Sequence, residues 1–150
     1  MSDPMLVEAI AAQNARTGSL SFDQINEMDA VWRAEIGALE TPTIDGVIAA
    51  PASDFLRARV AEAGGLISEI FVMDGVGLNV AASGVTSDYW QGDEAKFTET
   101  YPLGSGAMHV GPLEFDESSQ TFQVQVSMPI VDAAGTVIGA ITLGLNAEAL

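Results

Sequence analysis

Cysteine is absent from this 150-residue sequence, and histidine and lysine each occur once. Without a thiol, the chain has no disulfide, no cysteine nucleophile and no thiolate metal ligand. With His109 as the only imidazole, a transition-metal site built from side chains is poorly supported as well. The sequence therefore predicts no metal site and no resident cofactor.

Basic residues are scarce in general. Five lysines and arginines oppose 21 aspartates and glutamates, which gives a formal charge of −16. Such a surface repels nucleic acid phosphates and anionic membrane surfaces, so nucleic acid is excluded as a partner. Hard cations are attracted instead, which leaves divalent-cation binding as an alternative function, although surface carboxylates commonly serve solubility alone.

Long apolar runs are missing too. No stretch approaches the ~20 apolar residues of a membrane span, and the first four residues lack the basic and apolar regions of a signal peptide. We therefore expect neither an export signal nor a membrane anchor within this chain. Its length and its 48% apolar content suit one domain, residues 1–150, with one core.

Sequence motifs of common enzymes are absent. Gly75 and Gly77 begin a partial dinucleotide fingerprint, but Val80 stands at the third glycine position and a predicted strand follows. Walker A, EF-hand, HExxH and G-x-S-x-G patterns do not occur. Ser105 lies near His109 without the context of a nucleophile elbow. The sequence predicts a protein that is not an enzyme.

Residues 1–65 are predicted to be mostly helical and residues 66–150 mostly sheet, an α+β arrangement. Ser21 and Gln24 have the spacing of a capping box, which predicts a helix start. The apolar residues behind it recur at helical spacing: Ile25, Met28, Trp32, Ile36 and Leu39. Further helices are predicted over residues 5–16 and 53–64.

Five strands are predicted by the change to a period of two, over residues 67–73, 78–83, 108–115, 121–130 and 136–146. The last three are joined by short connections, which predicts an antiparallel meander. Pro112 predicts an edge position for the third strand, because proline cannot donate a ladder hydrogen bond.

The fourth strand alternates strictly between apolar and polar residues. Phe122, Val124 and Val126 share one face, and we expect them to contact the helical third of the chain. Gln123, Gln125 and Ser127 share the other face, and we expect Thr142 of the fifth strand beside them. Residues 84–106 carry aromatic side chains and could form a roof over this polar face. The combination predicts a small-molecule pocket.

A carboxylate ligand in this pocket would need a desolvated cation and several hydrogen-bond donors. Lys96 lies within the predicted roof, and His109 is out of phase with its apolar neighbours, so it should point to the polar face. The predicted ligand-binding residues are therefore Tyr89, Trp90, Lys96, Tyr101, His109, Gln125, Ser127 and Thr142. Two alternatives stay open: Lys96 as a surface partner of Glu99 or Asp93, and the aromatics as a small core under a loop.

Three segments resemble Cache (PDC) domains. Residues 70–83 are similar to the first hairpin of that family, an apolar strand, an Asp-Gly turn and a strand that ends in small residues. Residues 86–90 resemble the start of the family's pocket-roofing segment. Residues 127–132 with Gly135 and Gly139 resemble its closing hairpin. Together with the N-terminal helices, the resemblance covers nearly the whole chain.

The resemblance implies a PAS-like antiparallel sheet of about five strands with a long N-terminal helical segment packed on one face. Ligands of such domains bind on the opposite face, under the segment between the second and third strands. It further implies a periplasmic or extracellular sensor for a small polar metabolite, such as a carboxylate, with a membrane receptor or kinase as partner and a homodimer formed through the N-terminal helix.

Two other functions remain open beside this one. Some Cache-like sensors are thought to hold divalent cations, and an adaptor that binds only another protein would keep the fold with a collapsed pocket. The arginine-bearing motif of the family's amino-acid binders is not intact here, so the sequence does not favour an amino-acid ligand.

Overall fold

In the computed structural model, which describes residues 2–117 and 120–150, four helices precede a five-stranded sheet. The helices are α1 (Pro4–Thr17), α2 (Phe22–Glu35), α3 (Pro42–Ile48) and α4 (Pro51–Glu62), and α5 (Ala95–Thr98) follows the second strand. The strands are β1 (Ile67–Met73), β2 (Asn79–Ala82), β3 (His109–Asp116), β4 (Thr121–Val131) and β5 (Val137–Asn146). The predicted α+β class is confirmed.

The capping box predicted for α2 is present. The Gln24 amide donates to Ser21 Oγ at 3.2 Å, and the Ser21 amide donates to Gln24 Oε1 at 2.9 Å. The helix ends at Glu35, however, so the predicted continuation to Leu39 is wrong and Leu39 is fully exposed. Gly37 adopts a φ of 78°, a left-handed conformation that ends the helix. Glu35 then accepts hydrogen bonds from the first amides of α3, a helix that the sequence pattern did not indicate.

The sheet has the strand order β2-β1-β5-β4-β3, and every neighbouring pair is antiparallel. The predicted meander of the last three strands is confirmed, and β3 with its Pro112 lies at the edge as predicted. Ser127 pairs with Thr142 across β4 and β5, and Gln125 pairs with Gly144. The predicted polar face is therefore formed in the expected register.

One face of the sheet packs against α1 and α4. The buried residues of this contact come from both helices and from three strands, β1, β2 and β4: Leu6, Ile10, Ala52, Leu56, Ile70, Val72, Val80, Ala81 and Ile130. A second cluster surrounds the fully buried Trp32 of α2 and includes Ile44 of α3, Leu78 and Tyr89. The helical segment thus lies on one side of the sheet, as the resemblance implies.

Asp74 connects α1 to the turn between β1 and β2. Its fully buried carboxylate accepts from Gln13 Nε2 at 2.9 Å and from Thr17 Oγ1 at 2.8 Å. The same carboxylate accepts from the amides of Val76 and Leu78, both at 3.0 Å. This set of hydrogen bonds places the C-terminal end of α1 against the β1–β2 hairpin.

The expected helix contacts of Phe122, Val124 and Val126 are wrong. Phe122 is half-exposed and packs edge-on against Phe115, with ring centroids 5.3 Å apart. Neither valine belongs to the cluster that the helices cover. The reason is the position of α1, a helix of 14 residues and hence about 21 Å long. Because Asp74 holds α1 at the β1–β2 hairpin, α1 covers the half of the sheet next to this hairpin. It does not cover β3.

Candidate functional site

A pocket of about 700 Å³ lies on the sheet face opposite α1. The side chains of its floor come from β1 and β4, and those of its roof come from the connection between β2 and β3. The floor includes Glu69, Phe71, Gln123 and Gln125, and the roof includes Val85, Thr86, Ser87, Gln91 and Lys96, with Ile36, Asp116 and Glu117 at the rim. Its place in the fold is the one predicted from the sequence.

Glu69 is the acidic centre of the floor. Its Oε1 accepts from Gln123 Nε2 at 3.1 Å and from Gln125 Nε2 at 2.9 Å. Gln123 is fixed in turn by Ser68, whose hydroxyl donates to Gln123 Oε1 at 2.8 Å. Position 144 must be small for this arrangement, because a Cβ on Gly144 would lie 2.7 Å from Glu69 Cγ. The floor is therefore a carboxylate held in place by two amide side chains.

Ser127 and Thr142 lie on the same face of the sheet as this floor, where Thr142 pairs with Phe71. Their hydroxyls are hydrogen-bonded to each other at 2.8 Å, and both residues are fully buried. They share the polar face of the sheet with Gln125, as predicted, but they are not among the residues that line the pocket. Their hydrogen bond joins β4 to β5 on this face of the sheet.

Lys96 covers the floor from above. Its Nζ lies 5.3 Å from the centroid of the Phe71 ring and 2.8 Å from Glu94 Oε2. Only 16% of its side chain is exposed, which is low for a lysine and limits the screening of its charge. Its ion-pair partner is Glu94, where the sequence suggested Glu99 or Asp93. The lysine is thus a partly desolvated cation at the edge of the pocket.

His109 points to the polar face, as its phase in β3 predicts, because it pairs with Ser127. It lines a smaller cleft of about 180 Å³ together with Lys96, Glu94 and Gln125. Its Nε2 lies 3.7 Å from Glu99 Oε2. Within the described residues, its buried Nδ1 has no hydrogen-bond partner. His109, Lys96 and Gln125 are therefore brought together, beside the main pocket.

Tyr89, Trp90 and Tyr101 do not meet Lys96 over the floor, so the expected convergence of these aromatics with it is wrong. Tyr89 is buried against Trp32, with ring centroids 5.0 Å apart. Trp90 donates from Nε1 to the carbonyl of Val76 at 2.8 Å. Tyr101 stacks on Phe97, with ring centroids 5.0 Å apart. These rings form small cores beneath the connection, the alternative that the sequence left open.

Tyr89 and Trp90 point away from the pocket floor because Asp29 of α2 holds their part of the connection between β2 and β3. Its buried Oδ1 accepts from the amides of Tyr89 and Trp90, at 2.9 and 3.0 Å. Its other oxygen accepts from Arg33. The hydrogen bond with Asp29 raises the pKa of the Arg33 guanidinium. Burial, helped by the negative charge of Asp29, raises the pKa of the neighbouring Asp88 carboxyl.

Sequence reasoning missed several residues of the site, including Glu69, Phe71, Thr86 and Gln91. For Glu69 there was a signal, since it is the one charged residue in an otherwise apolar or small strand, on the same face as Phe71. Thr86 and Gln91 belong to the irregular connection, whose side-chain directions follow no period that could be read from the sequence.

In residues 2–117 and 120–150, no group of three or more histidine, aspartate or glutamate side chains is placed to hold a metal ion. None of the helices in these ranges has the length and apolar character needed to cross a membrane.

Comparisons by sequence gave no relatives: neither a protein-family model nor a curated protein matches the chain. Solved structures do align with it. The extracellular domain of rpHK1S-Z16, described as a histidine kinase, aligns with a TM-score of 0.50 at 15% identity over 97% of this chain and 56% of its own. The sensor domain of the Vibrio cholerae histidine kinase DctB aligns with a TM-score of 0.48 at 12% identity, over 97% of this chain and 53% of its own. The Escherichia coli DcuS sensor domain aligns with a TM-score of 0.48 at 16% identity, over 83% of this chain and 90% of its own.

This chain spans about half the length of the first two of these domains. At such identities the likeness is one of fold. The five-stranded antiparallel sheet with N-terminal helices on one face is the fold of Cache (PDC) sensor domains, which confirms the architecture that the sequence resemblance implied.

Proposed function

We propose that this domain is the ligand-binding part of a periplasmic or extracellular sensor, and that the pocket between the sheet and residues 84–106 takes a small polar metabolite. The proposal depends chiefly on Lys96, the only lysine of the chain, which lies largely buried above the pocket floor. A desolvated cation opposite hydrogen-bonding side chains is what orients a polar ligand in a concave site. A membrane receptor or kinase is the partner that would carry the signal further.

The charges of the pocket favour a ligand that carries both signs. Among the described residues that line the pocket, Lys96 is the one cation, while Glu69, Asp116 and Glu117 are acidic. A ligand with carboxylates alone would meet these like charges. A ligand with an ammonium group next to its carboxylate avoids this conflict, because the carboxylate can replace Glu94 at Lys96 and the ammonium group can meet Glu69. We therefore propose a zwitterionic metabolite.

The alternative functions have less support. An adaptor that binds only protein would need no pocket, whereas the pocket here has a volume of about 700 Å³. A divalent-cation sensor would be served by a preformed group of carboxylates, and none lies within the described residues. Binding without catalysis is the role that these side chains support, with Lys96 and Glu69 as ligand contacts.

The experiment begins with native mass spectrometry of freshly purified protein, which would detect a retained metabolite. Calorimetric titrations then compare α-amino acids, dicarboxylic acids and diamines on the wild type and on Lys96→Ala, Glu69→Gln and Arg59→Ala. Arg59 is the matched control, because it lies exposed on α4 and pairs with Glu62 at 3.1 Å. Loss of a charge-assisted hydrogen bond should weaken binding roughly ten- to a hundredfold, or about 1.5–3 kcal/mol.

The variants separate the parts of the proposal. Equal affinities in all three variants would show that the ligand binds elsewhere. Tight binding of a dicarboxylic acid that Glu69→Gln leaves unchanged and Lys96→Ala abolishes would keep the pocket but refute the zwitterion. No binding by any member of the panel, together with no retained mass, would contradict the sensor function for this class of ligand.

A further inference from the structure

The helices leave part of the apolar sheet face uncovered. Over β3 and β4 this face consists of Val110, Leu113, Phe115, Phe122, Val124 and Val126, and we call it the β3–β4 apolar face. Four of its residues are strongly exposed: Leu113 by 60%, Val110 by 58%, Phe115 by 49% and Phe122 by 45%. The partly buried Leu143 and Leu145 of β5 extend it toward α1.

The area of this face is sufficient for a protein contact. At about 200 Å² for a large apolar residue, the four exposed residues alone leave about 400 Å² open to solvent. Adding the partly buried valines and leucines raises this to roughly 600 Å², the upper end of what single-chain proteins expose in one patch. Two such faces together exceed the roughly 1,000 Å² that a specific interface needs.

The charge distribution indicates what covers the face. The acidic residues of β3, Glu114 and Asp116, lie on the opposite side of the sheet, since they pair with Gln123 and Thr121. The β3–β4 apolar face itself carries no charged side chain. A partner with a basic surface would thus find no counter-charge on the β3–β4 apolar face. An uncharged apolar face of the same size is complementary to it. A second copy of this chain provides such a face.

We propose that two copies of this chain associate through the β3–β4 apolar face in a two-fold contact. In such a contact the same residues of both copies meet, so Leu113 and Phe122 of each copy are covered together. The contact is separate from the ligand pocket, which lies on the other side of β4. It is also separate from a dimer formed through the first helix, which the sequence resemblance implied.

Self-association of a chain with a charge of −16 should respond to salt in a characteristic way. Repulsion between the two copies opposes the contact at low ionic strength, and salt screens it. The dimer should therefore become tighter as the Debye length falls from about 30 Å at about 0.01 M salt to about 3 Å at about 1 M. Binding to a basic partner would show the opposite dependence.

Sedimentation equilibrium over a concentration series at both salt concentrations tests the proposal. The key variant is Leu113→Lys, which removes apolar surface and also lowers the net negative charge, so a larger net repulsion between the copies cannot explain a weaker dimer. Leu103→Lys is the matched control, because Leu103 is 67% exposed and lies outside this face. Met5→Lys, on the exposed side of α1, tests the helix dimer. Val110→Lys repeats the test if Leu113→Lys proves unstable to urea.

We expect Leu113→Lys to raise the dimer dissociation constant at least tenfold, while Leu103→Lys and Met5→Lys leave it within about twofold of the wild type. A wild-type monomer at high concentration in both salts would overturn the proposal. Equal effects of Leu113→Lys and Leu103→Lys would overturn it as well. Dissociation by Met5→Lys alone would assign the interface to α1 instead.

Discussion

Replacement of Asp29 should loosen the roof of the pocket from α2, and the structure gives the size of the effect. In Asp29→Ala the amides of Tyr89 and Trp90 lose their acceptor, and the protein around Tyr89 excludes water. An unsatisfied buried donor costs about 1–3 kcal/mol. Because the Trp90 amide is only partly buried, we expect a total loss of about 2–4 kcal/mol in the free energy of unfolding.

Two matched variants separate the amide contacts from the ion pair. Asp29→Asn keeps a carbonyl oxygen for both amides but loses the charge and the second oxygen that accepts from Arg33, so it should destabilise the protein by about 1 kcal/mol, less than Asp29→Ala does. Arg33→Ala removes the cation and leaves the buried Asp29 carboxylate with its two amide donors, so it should destabilise the protein less than Asp29→Ala does.

Urea unfolding followed by tryptophan fluorescence measures these differences. Trp32 is a suitable probe, since its Nε1 donates to the carbonyl of Thr86 in the roof at 2.8 Å. An unchanged m-value would show that the midpoints report stability alone. If Asp29→Ala and Asp29→Asn were equally destabilised, the ion pair and not the amide contacts would hold the roof, and the reasoning would be refuted.

Two further predictions concern the other buried or capping carboxylates. Asp74→Ala removes the acceptor of two side chains of α1 and of two turn amides, so urea unfolding should show that the free energy of unfolding falls by about 3–5 kcal/mol. A decrease of less than about 1 kcal/mol would contradict these hydrogen bonds. Burial acts to raise the pKa of Glu35, but the amides of Ile44 and Thr43 outweigh it and lower that pKa. The stability from this carboxylate is therefore present above the ordinary glutamate pKa and is lost as pH falls through the lowered value, so Glu35→Gln should be less stable at neutral pH and approach the wild type near about pH 3. If the difference in free energy of unfolding between the wild type and Glu35→Gln stayed constant from neutral to acidic pH, the role of the Glu35 charge would be refuted.

The alternation of β4 was enough to predict the polar face and its place opposite the helices. A period of two leaves little freedom, because a strand residue that points to one face cannot reach the other. The buried pairing of Ser127 with Thr142 followed directly, as did the direction of His109. The capping box of α2 was equally local, since its two hydrogen bonds join residues three positions apart.

Features that depend on distant contacts could not be predicted in this way. The direction of Tyr89 and Trp90 is set by Asp29, which lies 60 residues away from Tyr89. Likewise, the part of the sheet that α1 covers is set by the hydrogen bonds of Asp74 with Gln13 and Thr17. No periodicity in the sequence encodes such contacts, and for that reason the aromatic residues were assigned to the pocket and Phe122 to the core.

Both proposed interaction surfaces depend on the register of β4. Gln125 faces the pocket while Val124 and Val126 face the proposed dimer contact, so a shift by one residue would place valines under Lys96 and an amide in the apolar face. The buried hydrogen bond between Ser127 and Thr142 opposes such a shift, because either hydroxyl would lose its partner. Side-chain changes on one face leave this backbone register intact. Ligand affinity and self-association can therefore be altered separately, even though one strand supports both.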